Sequence, residues 1–335
     1  MEWNGSYNSK SAALAKMSSL LDALIGLDYD DLDYSSWSTC LVIMALGFLG
    51  YLGIFVLCHF LSHGLCSTYR SLSAKEKVFW DLTATRAVFG VQSTHVGLTT
   101  LLFEPVLASD KVSAQQNWSW FIILIGSGFF FFENVALHVF NIAFWTCDLV
   151  LAVHHLFAFL GFFAVVVYGT PGHYIPLAIL FLEMSTPFTC ISWMLLKAGL
   201  SDTLFWKANQ WVMIHMFHCR IVLTYHIWWV CYCNWDKLLN STPTSYLALF
   251  FTGLALVTFV MNPYWTHKKT QQLLSPVDWN FEKSSTKFSS SSKGNGGLKK
   301  TKNIKVYGLA HQHSFLHFRM KVIFIDRHHE RNLDD

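Results

Sequence analysis

Apolar residues in this chain run in long blocks separated by short polar stretches, and the blocks have the length of membrane helices. A hydrocarbon core about 30 Å thick is crossed by roughly 20 apolar residues in a helix. Thr39–Leu61 meets that length without a single Lys, Arg, Asp or Glu. Further spans fit Ala87–Leu107, Trp118–Asn141, Phe144–Tyr168, His173–Leu196, Leu204–Cys233 and Ser245–Thr266. The pattern predicts an all-α polytopic membrane protein with about seven transmembrane helices. Gln92, His95 and Glu104 interrupt the second block, so a count of five or six stays open. The sixth is long enough to tilt or to extend out of the bilayer, and Pro187 is placed to kink the fifth.

The flanks differ in character. The first 38 residues are polar, then acidic (Asp28, Asp30, Asp31, Asp33), with no apolar run that could serve as a cleavable signal. They are expected to be a lumenal amino-terminal segment ahead of a transmembrane domain over 39–266. Residues 267–335, with Ser289–Ser292 and Gly294, Gly296 and Gly297, are expected to form a cytosolic, largely disordered basic tail. Short loops on one side hold Arg70, Lys75, Lys77, Arg86, Lys197, Lys207, Lys268 and Lys269, against Lys10, Lys16, Lys111 and Lys237 on the other. That bias sets the first group inside. The glycosylation sequons at Asn4 and Asn240 then fall outside; a third, at Asn117, lies too near a span to be a good acceptor.

Composition narrows the class. The chain has 335 residues, 53% hydrophobic and only 13% charged, where a soluble domain carries about 25% charged residues. A soluble globule, a collagenous rod and a coiled coil are all excluded. Of the 24 Lys and Arg, 13 lie in residues 267–335, so the net charge of +3 hides a basic tail. No nucleic-acid partner is expected. The eight cysteines include no C-x-x-C pair, and those in spans act as small apolar side chains; acylation of Cys66 at the inner interface is conceivable.

The informative residues are those that should not be in a bilayer. Glu133, His138, Asp148, His154, His155, Glu183, His215, His218, Arg220 and His226 all fall within the expected spans. One charged group in mid-bilayer costs about 2.5–3.5 kcal/mol on insertion scales, so the set must face inward or a wet cavity. At about 100° per residue, His215, His218, Tyr225 and His226 share one face of the sixth helix, and Arg220 lies roughly 140° from His215 and faces elsewhere, toward a lipid phosphate or a carboxylate. Asn134, His138 and Asn141 share a face of the third helix, and Asp148 and His155 one side of the fourth. The economical packing points these stripes at a common interior.

That interior suits acyl transfer. A neutral histidine can take the proton of an alcohol or amine attacking a thioester, or carry the acyl group itself. His154 and His155 are the candidate base or acyl carrier, with Asp148, Glu183, His215 and His218 to orient or stabilise them. Glu133, His138, Arg220, Tyr225 and His226 are the candidate substrate-binding residues. A metal is the weaker reading: His215 and His218 have H-x-x-H spacing, yet the several histidine boxes of membrane iron oxygenases are missing. Structurally, any one of these residues could be interhelical glue worth about 0.6 kcal/mol, but ten exceed what packing requires.

Paired His154-His155, followed by Leu182-Glu-Met-Ser-Thr-Pro-Phe188, resembles the TLC family, which includes ceramide synthases and translocation-associated membrane proteins. Phe79–Thr94, Asn209–Arg220 and Asn262–Gln272 resemble one branch of that family closely. The resemblance implies a bundle around a hydrophobic tunnel in the endoplasmic reticulum membrane, cycling to the ER–Golgi intermediate compartment. It implies roles in lipid homeostasis and lysosome biogenesis: a lipid acyltransferase acting on a glycerophospholipid-type acceptor such as glycerophosphoglycerol, an ER-to-Golgi receptor for newly made lysosomal enzymes, or a non-catalytic lipid or ceramide sensor. Acyl-CoA is the implied co-substrate, with no resident cofactor. Implied partners are membrane lipids, lysosomal enzymes in the lumen, coat proteins at the cytosolic tail and a second copy of the chain. Family ceramide synthases use the paired histidines, which match His154 and His155. Their acidic second motif is replaced here by Glu183-Met-Ser-Thr-Pro187, which argues against ceramide synthesis. The branch ends in a Lys-Lys-x-x retrieval signal; Lys299 and Lys300 have that composition but stand internal, so weaker retrieval is expected.

Overall fold

A computed structural model describes residues 31–146, 149–278 and 281. Among them the fold is entirely helical, with no strand. Seven long helices carry it: α1 (Trp37–Leu65), α2 (Ala74–Leu102), α3 (Asn117–Ala143), α4 (Leu149–Tyr168), α5 (Tyr174–Lys197), α6 (Leu204–Cys233) and α7 (Thr244–Leu274). Short helical turns at Ser67–Ser71, Pro105–Ser109 and Trp235–Ser241 fill connections.

Length and composition alone qualify five of them to cross a membrane: α1, α3, α4, α5 and α7. The other two are as long but more polar. α6 carries Lys207, Asn209, Gln210, three histidines and Arg220. α2 departs furthest from expectation, because it starts at Ala74 rather than near Ala87 and contains Lys75, Glu76, Lys77, Asp81 and Arg86. Its start is set by a capping box, in which the Ser73 hydroxyl accepts from the Glu76 amide and the Glu76 carboxylate accepts from the Ser73 amide. Arg86, expected in a loop, therefore sits inside the helix. Exposed apolar side chains such as Leu41, Leu49, Phe60, Val139, Val222 and Phe259 suit a lipid-facing exterior.

The helices close on themselves. α1 packs on α3, α3 on α4, α4 on the first half of α7, α7 on α6, α6 on α5, α5 on α2, and α2 returns to α1. Two contacts in the ring rely on small residues, as membrane helix pairs often do. A Cβ on Gly128 of α3 would stand 2.3 Å from the Met44 carbonyl oxygen of α1, and one on Gly97 of α2 would stand 2.5 Å from Phe181 Cβ of α5.

Two helices are broken where they face the ring's interior. α5 changes from α-helix to a 3-10 turn over Phe181–Ser185 before resuming at Thr186. Pro187 lies in the first turn of the resumed helix, where its missing N–H leaves the Glu183 carbonyl without its i+4 donor. The expected disturbance at Pro187 takes the form of this change of helix type. α7 widens to a π-helical turn over Leu256–Met261, just before Pro263.

Candidate active site

Two connected cavities open inside the ring. The first, about 930 Å³ with the open space at its mouth included, is bounded by aliphatic and aromatic side chains of α4, α5 and α7, among them Phe157, Phe162, Ile179, Leu249, Phe250 and Leu254. The second, about 1190 Å³ on the same measure, is bounded by Arg86, His155, Thr186, Thr189, Lys268, Lys269 and Asp278 together with several aromatic rings. It lies toward the end where α2, α4 and α6 begin. His154, Glu183, Arg220 and Phe130 border both cavities. An apolar chamber and a polar chamber thus meet at one histidine, one glutamate and one arginine.

His154 Nε2 stands 4.0 Å from Glu183 Oε1, with both side chains largely buried. The other Glu183 oxygen accepts from the Thr186 hydroxyl, three residues on and across the break in α5. The Trp265 indole of α7 meets the His154 ring edge-on at 5.1 Å. Arg220 Nη1 donates to Ser185 Oγ at 2.9 Å, and the guanidinium carbon lies 5.1 Å from the Phe217 ring centre and 5.5 Å from that of Trp265.

Behind His154 lies a second layer. Arg86 Nε donates to Glu133 Oε2 at 2.8 Å, and Arg86 Nη2 reaches the same oxygen at 2.8 Å. The Glu133 side chain is 0% exposed and that of Arg86 13%. His155 Nε2 stands 3.5 Å from Glu133 Oε2, and the His155 carbonyl accepts from Asn134 Nδ2 at 2.9 Å. His155 is therefore held from both backbone and ring, and it borders only the polar chamber.

The structure gathers His154, His155, Glu183, Glu133 and Arg220, and leaves other expected members outside. His215 and His218 are exposed on the outer face of α6; their rings lie 6.3 Å apart, and His215 Nδ1 bonds only to the Trp211 carbonyl. Tyr225 is 54% exposed on the same face. The helical spacing grouped these side chains correctly, but the face they share points out, and Arg220, roughly 140° away, takes the inner position they were assigned. His226 borders neither chamber and faces the Tyr174 hydroxyl at 3.3 Å, toward the end of the bundle where α6 finishes. His138 is exposed, its Nδ1 bonded to the Asn134 carbonyl. Asp148, Asn4, Lys299 and Lys300 lie outside the described residues, and Asn240 is exposed in the Trp235–Ser241 turn. Sequence reasoning missed Arg86, which hydropathy assigned to a loop, and Ser185, Thr186 and Trp265, which are individually unremarkable in sequence. No cluster of three or more metal-ligating side chains occurs among the described residues.

These features belong to a known family. The family model described as the TLC domain matches residues 80–270. The chain is similar to Protein CLN8 of Mus musculus, 62% identical over 274 residues that cover 82% of this chain and 95% of the relative. It is similar to Protein CLN8 of Homo sapiens, 62% identical over 272 residues covering 81% of this chain and 94% of the relative, and to that of Canis lupus familiaris, 61% identical over 81% of this chain and 94% of the relative. The chain belongs to the TLC-domain family and, inside it, to the CLN8 family. It is a multi-pass, lipid-related membrane protein. No solved structure matches it.

Proposed function

We propose that this protein is a lipid acyltransferase of the endoplasmic reticulum membrane that moves a fatty acyl group from acyl-CoA to a glycerophospholipid-type acceptor such as glycerophosphoglycerol. The carrying observation is the position of His154, at the junction of an apolar chamber and a polar one and opposite a carboxylate. An acyl chain fits the first chamber, and a polar acceptor fits the second. The charge bias of the loops sets the polar chamber toward the cytosol, the side on which acyl-CoA is found. Lysosome biogenesis is the cellular role that follows from lipid supply of this kind.

The chemistry needs no group beyond these side chains and the two substrates. His154 Nε2 removes the proton of the acceptor hydroxyl while its oxygen forms a bond to the thioester carbonyl carbon. The carbon–sulfur bond then breaks, and the imidazolium returns the proton to the departing thiolate, releasing CoA as the thiol. Glu183, 4.0 Å from Nε2, stabilises the transient imidazolium. His155, tied to Glu133 and to Asn134, is a positioning residue that fixes this stretch of α4.

Full-length protein in lipid nanodiscs, given radiolabelled oleoyl-CoA and glycerophosphoglycerol, is expected to form acylated product. His154→Ala should lower turnover by about 100-fold or more, the usual size of a general-base contribution, and His155→Ala should act partly through stability. Turnover that persists in His154→Ala removes the assignment. Acyl chains that bind without any product leave the lipid-sensor reading instead.

A further inference from the structure

Arg220 has an edge that no other described residue uses. Its Nη1 is engaged by Ser185 Oγ, while Nε and Nη2 are buried without a hydrogen-bond partner among the described residues. Those two nitrogens form one side of the planar guanidinium and point their N–H bonds in parallel, the fork that grips two oxygens of one anion. The residue as a whole is 3% exposed.

The comparison with Arg86 shows what is missing. Arg86 spends its charge on Glu133. Arg220 forms no ion pair among the described residues, and Glu183, the carboxylate that shares its cavity, directs its oxygens to Thr186 and toward His154. A guanidinium buried in a membrane bundle normally pairs with something. The Phe217 and Trp265 rings stand within 5.5 Å of the guanidinium carbon, and the Ser185 bond anchors one of its corners. The cavity beside it continues into the polar chamber, where Thr186, Thr189, Lys268, Lys269 and Asp278 stand on the wall.

We infer that the unpartnered Nε–Nη2 edge of Arg220 is a binding site for a phosphate ester, gripping two non-bridging oxygens at the junction of the two chambers. A free fatty acid would satisfy the fork but would end there and leave the polar chamber unfilled; a phosphodiester continues into it with a headgroup whose hydroxyls can meet those walls. The site rests on the acyltransfer reading only for its purpose: bound there, the phosphodiester of the acceptor brings a neighbouring hydroxyl to His154. The same chemistry is offered by the phosphoanhydride of acyl-CoA, and the two sources separate by experiment.

Binding is measured without turnover, on full-length protein carrying His154→Ala in detergent micelles, through the quenching of tryptophan fluorescence by lysophosphatidylglycerol, oleoyl-CoA, oleate and monooleoylglycerol. Lysophosphatidylglycerol should bind more tightly than monooleoylglycerol, and Arg220→Gln should weaken it by about 10- to 100-fold, the scale of a lost hydrogen-bonded charge. Arg220→Lys should recover little, because a point charge lacks the fork. Ser185→Ala, which keeps the charge and frees one corner of the guanidinium, should weaken binding by about fivefold and guards against misfolding of the arginine variants. A loss in Arg220→Gln confined to oleoyl-CoA assigns the phosphate to the donor. Equal affinity of wild-type Arg220 and Arg220→Gln for both phosphate-bearing ligands overturns the inference, as does oleate binding as tightly as lysophosphatidylglycerol. Arg220-dependent binding in a protein that never forms product leaves this site standing and removes the acyltransferase reading.

Discussion

The buried pair between Arg86 and Glu133 permits a quantitative test, because its two partners can be removed separately. Glu133 is fully enclosed and Arg86 is 13% exposed, so a Glu133 charge left alone has no solvent to turn to and an Arg86 charge left alone has only the polar chamber. Removing one partner of such a pair costs about 3–5 kcal/mol, whereas replacing both with apolar groups of similar volume is close to neutral. For a domain of this size each kcal/mol moves the melting midpoint by roughly 2–4 °C. Arg86→Met and Glu133→Leu should each lower the midpoint by roughly 6–20 °C on that scale. The double variant should regain most of the loss, so that single losses of about 3 kcal/mol each imply a coupling of about 6 kcal/mol between the two sites. His155, 3.5 Å from the same Glu133 oxygen, makes Glu133→Leu the more harmful single change. The assay is thermal unfolding of the full chain in detergent, followed by tryptophan fluorescence. If the two single losses simply add in the double variant, to within about 0.5 kcal/mol, the charges do not depend on one another and this picture of the interior is wrong.

Other outcomes follow from the same structure. His215→Ala combined with His218→Ala should leave acyl transfer unchanged, since both side chains face outward; a large loss would return them to the site. Gly128→Ala should destabilise the protein by about 1–3 kcal/mol through overpacking, because its Cβ would stand 2.3 Å from the Met44 carbonyl oxygen; an unaltered melting midpoint would show that α1 and α3 are not so close. The hydrogen bond from Lys237 to Asp110 Oδ2, at 2.7 Å, holds the Asp110 carboxyl below its ordinary value. Its contribution is therefore present above that ordinary value, neutral pH included, and is lost as the pH falls below it and through the lowered one. The pair is well exposed, so Asp110→Asn should cost no more than about 0.5 kcal/mol at pH 7, with a gap to wild type that closes on acidification; a gap that widens contradicts the sign.

Much of the helical layout was legible because hydropathy reports length well. α6 runs over Leu204–Cys233 as the apolar block does, and the bounds of α1, α3 and α5 differ from expectation by a few residues. The failure at α2 has a physical origin: a sliding count of charges treats Arg86 as a loop residue, and only the facing Glu133, 47 positions later, makes it tolerable inside. The site was legible in part. His154, His155 and Glu183 stood out as polar groups in apolar helices, and their convergence followed. Which face of α6 turns inward was not legible, because periodicity is equally satisfied by either assignment; the packing of α6 on α5 and α7 decides it. The hydroxyls of Ser185 and Thr186 matter only because the helix breaks before Pro187, a consequence of backbone geometry that residue type alone does not announce.

Photoaffinity labelling tests the meeting of the two chambers most directly. An acyl-CoA with a diazirine midway along its chain, crosslinked to full-length protein in nanodiscs and mapped by mass spectrometry, should mark the apolar wall at Phe157, Leu249, Phe250 or Leu254. Excess oleoyl-CoA should abolish that labelling. Marks confined to the outer faces of α1 and α6, unaffected by competitor, would mean that no acyl chain enters the ring and that His154 meets no acyl group there.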